Sequence, residues 1–263
     1  MFGRRAAVGL SLLCALVSCA FAAPRASAKG TTAFTCVEKA GEEGFLDEHC
    51  DTASSGASVK FVHKEIKPGV LTAIAVSNEK TSEETKGSTP VVLRWSLGLT
   101  QIEIVCSKVS GTGTIEDKEV EKTMQAVGTL QIEYTGCTVS KPNKCKVKEP
   151  IVQNSNFTTY EAAEAEMGVE VSPKEKGIFL SLTLENNEKE QCALKQTYPF
   201  SGNAQGTPGG SANGPGATLA FTEGMGSLSV GVNPATLIST STLQTKAIFG
   251  LPEDPITFTT TEK

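Results

Sequence analysis

The sequence predicts an all-β protein, built as an antiparallel β-sandwich or as barrel-like sheets stapled by disulfides. A short phrase occurs twice, at residues 101–110 and 131–140, and each copy alternates polar and apolar residues and contains a cysteine. Six cysteines, an even number, follow the N-terminal leader. Short alternating runs separated by turn residues continue along the rest of the chain, as in sandwich folds.

The first 28 residues predict a signal peptide. Arg4 and Arg5 precede an almost wholly apolar stretch, residues 6–23, and Ala26-Ser27-Ala28 supplies the small-x-small pattern of a cleavage site. We therefore expect cleavage after Ala28, with an earlier cut after Ala22 as an alternative, and a secreted or cell-surface protein.

Two other interpretations of the leader remain open. Residues 16–19 resemble a bacterial lipoprotein box, in which Cys19 would be lipidated and become the new N-terminus. The apolar run is also about long enough to span a bilayer as an uncleaved anchor. All of these interpretations place the remainder of the chain outside the cytoplasm, and a lipid or anchor at the N-terminus would be its contact with a membrane.

The six remaining cysteines predict three disulfides, as expected for an exported protein, although six cysteines allow 15 pairings. Cys36 and Cys50 would close a short loop with a stabilisation of about 3 kcal/mol in the chain-entropy model. Cys137 and Cys145 flank a strong turn at residues 141–144, which favours a bridge across it. Elimination then pairs Cys106 with Cys192.

Along the chain, the strands of the predicted sheets are bounded by Gly, Pro and Asn turns. Residues 77–89 and 201–216 are polar or Gly/Pro-rich and predict exposed, flexible loops. The clearest hairpin joins residues 168–172 to 178–184 through a turn at 173–177, while residues 159–167 favour helix by composition and strand by context.

We expect residues 29–263 to form a single β-rich domain, because the segment after the flexible loop at 201–216 is too short for a comfortable core of its own. The doubled phrase also admits a β-solenoid. Two copies are fewer than repeat architectures need, which favours the antiparallel sandwich.

The sequence predicts neither catalytic residues nor a cofactor or metal site. It has two histidines, His49 and His63, and lacks the Gly-x-Ser-x-Gly, His-Glu-x-x-His and Walker patterns. The densest polar cluster, residues 47–51, lacks the paired ligand spacing of zinc sites and is interpreted as a turn beside a disulfide. The lone tryptophan, Trp95, is interpreted as a core residue.

The net charge of the chain restricts the classes of binding partner. The chain has 24 basic and 29 acidic residues, and the leader carries three of the arginines and no acidic residue, so the mature protein is acidic. An acidic chain without a basic cluster is a poor ligand for nucleic acid or anionic lipid. Glu103 and Glu133 hold matching positions in the doubled phrase, which keeps a carboxylate-based glycoside hydrolase open as an alternative function.

The cysteines and turns at residues 34–37 and 45–50, and the phrase at residues 134–139, resemble those of exported, cysteine-containing, β-rich proteins of soil actinobacteria. The resemblance covers most of the mature chain and implies a bacterial cell-envelope setting. It carries over no activity, substrate or catalytic residue. The first hypothesis is therefore an exported, non-catalytic binding or structural module whose ligand is open, with cell-wall glycan and surface protein as the partner classes.

Overall fold

The structure is a computed structural model, and it describes residues 30–39, 43–46, 50, 52–78, 89–142, 144–161, 167–175, 177–208, 218–223, 225–245 and 256–261. Most of these residues are in strands, as the alternation predicts, and a single 3₁₀ turn covers Gly56–Ser58. The strands are β1 (Gly30–Glu38), β2 (Glu43–Phe45), β3 (Ala53–Ser55), β4 (Phe61–Glu65), β5 (Thr72–Ser77), β6 (Val91–Leu97), β7 (Thr100–Val120), β8 (Thr123–Lys141), β9 (Cys145–Val147), β10 (Ile151–Glu161), β11 (Met167–Pro173), β12 (Leu180–Asn186), β13 (Thr197–Ser201), β14 (Ala204–Pro208), β15 (Thr218–Phe221), β16 (Ser229–Val230), β17 (Asn233–Thr245) and β18 (Ile256–Thr261).

The larger sheet has 13 strands and closes on itself twice. The long strands β7, β8 and β17 take part in both closed circuits of paired strands. Their first circuit runs through β5, β10, β11, β14 and β15, and their second through β6, β9, β12, β13 and β16. The prediction of antiparallel, barrel-like sheets is therefore confirmed.

Each circuit encloses part of the hydrophobic core, because alternate side chains of its strands point inward. Trp95 is 2% exposed inside the second circuit, where its ring packs against Tyr198 at 5.3 Å and Phe200 at 5.2 Å between centroids. The interpretation of this tryptophan as a core residue is confirmed.

The doubled phrase forms the antiparallel pair β7 and β8. The register places Cys106 directly opposite Cys137, with Cα atoms 3.9 Å apart, and a disulfide joins them. Glu121 and Lys122, both at positive φ, connect the two strands in a two-residue hairpin turn. The two copies thus fold back on each other, and the solenoid alternative is wrong.

The predicted disulfides are correct for one pair and wrong for the other two. Cys36 bonds Cys50, as expected, whereas Cys145 bonds Cys192 and Cys106 bonds Cys137. A Cys137–Cys145 bridge is prevented by register. Thr138 pairs with Lys146, so the two cysteines lie at offset positions along β8 and β9. All six cysteines nevertheless form disulfides.

One prediction about a loop also needs correction. Within the predicted flexible loop at 201–216, residues 204–208 form strand β14, which pairs with β11 and β15. Its Gly206 lets the backbone approach β15 closely, since a Cβ there would lie 2.9 Å from a Phe221 ring carbon. Residues 209–216, most of the predicted loop at 77–89 and the helix-or-strand part at 162–166 lie outside the described residues.

The predicted hairpin of residues 168–184 does not form. Strand β11 pairs with β10 and β14, and β12 pairs with β9 and β13. The turn after Pro173 instead carries the chain from the first circuit to the second. The sheet forks at this crossing.

The smaller sheet, in the order β18-β1-β4-β2-β3, packs on the first circuit through β1. Thr31 and Thr159 share a buried hydrogen bond of 2.6 Å between hydroxyl oxygens, and the Ala33 amide donates to Asp117 Oδ1 at 2.9 Å. The Cys36–Cys50 disulfide links β1 to the segment between β2 and β3. A buried acidic residue therefore helps to hold the N-terminal strand.

Candidate functional site

A groove of ≈ 770 Å³ lies at the fork of the sheet. Its volume is within the range of small-ligand and peptide sites. Two aliphatic side chains on its walls are partly exposed, its floor is buried and apolar, and its rim is polar or charged. The lining residues are Val152, Asn154, Lys174, Glu175, Ile178, Phe179, Leu180 and Ser181.

The groove exists because two hydrogen-bonded ladders, one of β11 on β10 and one of β12 on β9, stop before they meet. The ladder of β10 with β11 ends with a bond from the Lys174 amide to the Asn154 carbonyl at 3.1 Å. The ladder of β9 with β12 ends with a bond from the Lys148 amide to the Thr183 carbonyl at 2.9 Å. Continuing the second register would bring Pro150 opposite Ser181, and proline has no N–H to donate.

Glu149 fixes the backbone at the bottom of this fork. Its carboxylate accepts the amide of Gly136 at 3.0 Å and the amide of Cys137 at 2.5 Å, in place of a ladder between the strands. Cys137 is itself bonded to Cys106, so Glu149 is hydrogen-bonded to a segment of β8 that a disulfide ties to β7. The groove is thus lined in part by the paired strands β10 and β12 and in part by the turn after β11.

An enclosed cavity of ≈ 30 Å³ lies inside the first circuit. The Tyr134 hydroxyl donates to Gln153 Oε1, Gln153 Nε2 donates to Ser155 Oγ at 2.6 Å, and Ser239 and Ser241 lie 3.2 Å apart through their hydroxyls. Burial raises the pKa of Tyr134 well above its ordinary value. This volume has room for about one or two water molecules, so we interpret the cavity as part of the core.

The two glutamates of the doubled phrase do not come together. Because β7 and β8 are antiparallel, Glu103 pairs with Lys141 and Glu133 with Ser110, seven residues along the ladder, or about 24 Å. Glu103 accepts a hydrogen bond from Ser140 and pairs with Arg94 at 2.9 Å. The Ser140 and Arg94 hydrogen bonds hold the pKa of Glu103 below its ordinary value. Glu133 is exposed on β8.

Of the predicted polar cluster at 47–51, the structure describes Cys50, which is in a disulfide; the other four positions lie outside the described residues, as does Cys19. His63 is half-buried between the rings of Phe34 and Phe45, and this burial lowers its pKa. In the part of the chain that the structure describes, no three His, Cys, Asp or Glu side chains form a group suited to a metal ion.

Asp117 is the buried carboxyl that holds the N-terminal strand. Its Oδ1 accepts the Ala33 amide, and its Oδ2 is buried with no hydrogen-bond partner. Burial raises the pKa of Asp117 from 3.8 to about 7, the Ala33 hydrogen bond opposes the rise, and the charge of Glu65 adds to it. The folded protein therefore holds this proton to a much higher pH than the unfolded chain does.

We expect the Asp117 carboxyl to make the protein less stable as the pH rises. Its contribution is greatest below the unfolded pKa near 3.8, declines as the pH rises from there, and has been lost above about 7. Asp117→Asn mimics the protonated carboxyl, so its free energy of unfolding should fall less between pH 5 and 8 than that of the wild type. Urea unfolding at both pH values measures this difference, with exposed Glu119→Gln as the control. An unchanged pH dependence in Asp117→Asn would contradict the assignment.

Sequence reasoning missed the groove residues. The available signal was Pro150, which has no N–H to continue a ladder toward β12. Its effect depends on which strands become neighbours, which no local pattern contains.

Fold and site together define an antiparallel all-β protein whose described residues form a double-closed sheet, three disulfides and an open groove at the fork. No family model matches the chain, and no similar curated protein or solved structure is found. Three disulfides are typical of an oxidising, extracytoplasmic environment. Within the described ranges, no helix has the length and apolar character needed to cross a membrane.

Proposed function

We propose that the protein is exported and acts at the cell surface or in the extracellular space as a non-catalytic binding or structural module, with the groove at the fork as its binding surface. The observation that carries this proposal is the groove itself, an open concavity of ≈ 770 Å³ lined by β10, by β12 and by the connection between β11 and β12. Strand pairing holds β10 and β12 in the free protein, which limits the ordering cost of binding.

The chemistry of the groove favours binding over turnover. Its titratable side chains are Lys174 and Glu175, adjacent on the exposed turn after β11. A carboxylate-based glycoside hydrolase needs two carboxyl groups facing each other across a cleft, about 5 to 9 Å apart. Among the lining residues that the structure describes, Glu175 is the one carboxylate, so no specific observation favours the hydrolase as a second function.

Binding without turnover is the expected result when the purified mature protein is mixed with soluble cell-wall glycan fragments and with surface proteins of the producing cell. Calorimetry measures association, and chromatography of the recovered glycan or protein measures cleavage. Val152→Glu, which adds a charge to the exposed wall of the groove, should weaken binding, whereas Val70→Glu, at an exposed aliphatic position outside the groove lining, should not. Hydrolysis of a glycoside or an ester by the wild type would overturn the proposal.

Export is the second part of the proposal, and it is supported by the leader and by the three disulfides. N-terminal sequencing of the natural product should begin at Lys29 if the leader is cleaved after Ala28. A first residue of lipid-modified Cys19 would instead assign the protein to the lipoproteins. An intact leader on a protein recovered from the cytosol would contradict export.

A further inference from the structure

Two hairpin turns of the second circuit carry aliphatic side chains at their tips. Gly98 and Leu99 join β6 to β7, and Gly231 and Val232 join β16 to β17. In each turn the glycine has a positive φ and the aliphatic residue follows it. Leu99 is fully exposed and Val232 is 95% exposed, more than any other large hydrophobic side chain that the structure describes. We call Leu99 and Val232 the tip pair.

Strand pairing places the two turns side by side. β6 and β17 are paired as far as Trp95 with Ala235, and the same register continued brings Leu97 beside Asn233, which flank the two turns. Each turn bridges two strands at a spacing of about 4.8 Å, so the centres of the turns lie about 10 Å apart. The tip pair therefore belongs to one convex apolar surface.

The tip pair departs from the usual chemistry of hairpin turns. Such turns favour Asn, Asp, Ser and Gly, and the β7–β8 turn of this chain carries Glu121 and Lys122. Neither residues 95–102 nor residues 225–245 include a charged side chain. A partner can therefore cover both tips without burying an unpaired charge of either hairpin. Neighbouring exposed apolar side chains of this kind indicate a contact surface.

The groove at the fork offers a matching concave surface. Val152, 37% exposed, and Ile178, 53% exposed, give its walls two aliphatic contacts, and its floor is buried and apolar. Its volume of ≈ 770 Å³ is within the range of sites for drug-sized ligands, so it has room for two aliphatic side chains and the glycines beside them. Lys174 and Glu175, one charge of each sign, lie at the rim.

We propose that the tip pair of one copy of the chain inserts into the groove of the next copy, so that the protein associates head to tail. Leu99 and Val232 are exposed in the single chain, so they do not occupy its own groove. This inference rests on the proposed function, because it names a second copy of the chain as the partner of the same groove. The two sides of the contact differ, so association either continues from copy to copy or closes into a ring.

The contact is small, and this sets the expected strength of association. Stable interfaces bury about 800 Å² on each partner, which is more than two short turns supply. We therefore expect reversible association, seen by sedimentation as an average mass of the purified mature protein that rises with concentration up to about 1 mM. A wild type that stays monomeric throughout this range would overturn the inference.

Variants on each side of the contact test which surfaces meet. Leu99→Asn with Val232→Asn should raise the dissociation constant by at least about tenfold, because it removes both apolar side chains and leaves residues that turns favour. Val152→Glu should do the same from the groove side, and Ile178→Glu takes its place if Val152→Glu fails to fold. Association of the tip variant at wild-type strength would contradict the assignment.

Mixing the variants tests the head-to-tail arrangement. The tip variant keeps its groove, and Val152→Glu keeps its tip pair, so the two should form a one-to-one pair although each is monomeric alone. A mixture that stays monomeric would overturn the inference. Val70→Asn with Leu71→Asn, which changes another adjacent pair of exposed aliphatic residues, is the matched control and should associate like the wild type.

The remaining outcomes separate this inference from the proposed function. A monomeric protein whose groove binds a glycan fragment or a surface protein would overturn self-association and leave a binding module. A monomer that floats with phosphatidylcholine vesicles only when Leu99 and Val232 are intact would assign the tip pair to a lipid surface, and would also overturn it. A monomer whose groove binds no glycan fragment or surface protein would overturn both proposals.

Discussion

Replacing Trp95 with alanine is expected to lower the free energy of unfolding by about 3 to 5 kcal/mol. The indole is 2% exposed and packs against Tyr198 and Phe200 in the second circuit, so its removal leaves a cavity that surrounding strands cannot fill without breaking their ladders. Urea unfolding followed by circular dichroism measures the loss without relying on the fluorescence of the tryptophan itself.

Two variants control for this result. Trp95→Phe should cost less than Trp95→Ala, because it keeps an aromatic ring and the Trp95 Nε1 that it removes has no hydrogen-bond partner. Leu99→Ala lies at the exposed tip of the same β6–β7 hairpin and should change stability by no more than about 0.5 kcal/mol. Equal effects of Trp95→Ala and Leu99→Ala would contradict the placement of the tryptophan in the core.

Removing the Cys106–Cys137 disulfide, by replacing both cysteines with alanine, is expected to cost about 4 kcal/mol. The bridge closes a loop with a sequence separation of 31 residues and ties together β7 and β8, the two strands that form the doubled phrase and belong to both circuits. Its loss restores chain entropy to the unfolded state. Unfolding under non-reducing conditions gives the measured difference.

A second double variant distinguishes this connectivity from the predicted one, in which Cys137 pairs with Cys145 and Cys106 with Cys192. Cys137→Ala with Cys145→Ala breaks two bridges of the structure and leaves the thiols of Cys106 and Cys192 without their partners, whereas Cys106→Ala with Cys137→Ala breaks one and leaves none. Thiol titration should therefore find two reactive groups in unfolded Cys137→Ala/Cys145→Ala and none in the other variant. The opposite pattern would show that Cys137 and Cys145 are partners.

The class of fold was predictable because strand formation is a local property here. In β10, residues 151–159 alternate strictly between buried and outward positions, and the same period is visible in β12. A reader of the sequence can therefore place most strands, and can place Trp95 in the core. Strand β14 was missed because Ala204, Gly206 and Pro208 pack through small size and close backbone approach, which leave no apolar pattern.

The pairing of strands was less predictable, because it is decided over long separations. Residues 168–184 have the turn and the alternation of a hairpin, yet β11 and β12 each bond other strands. Cys137 and Cys145 are close in sequence, but their register excludes a bridge between them. The groove follows from the same non-local choices, so its residues carried no signal of their own.

Disulfide mapping of the protein recovered from its natural source tests the central claim most directly, that the doubled phrase folds back on itself in a covalently stapled antiparallel sheet. Non-reducing digestion and mass spectrometry should find the linked peptides Cys36–Cys50, Cys106–Cys137 and Cys145–Cys192. Six free thiols, or a peptide in which Cys106 is joined to Cys192, would contradict it.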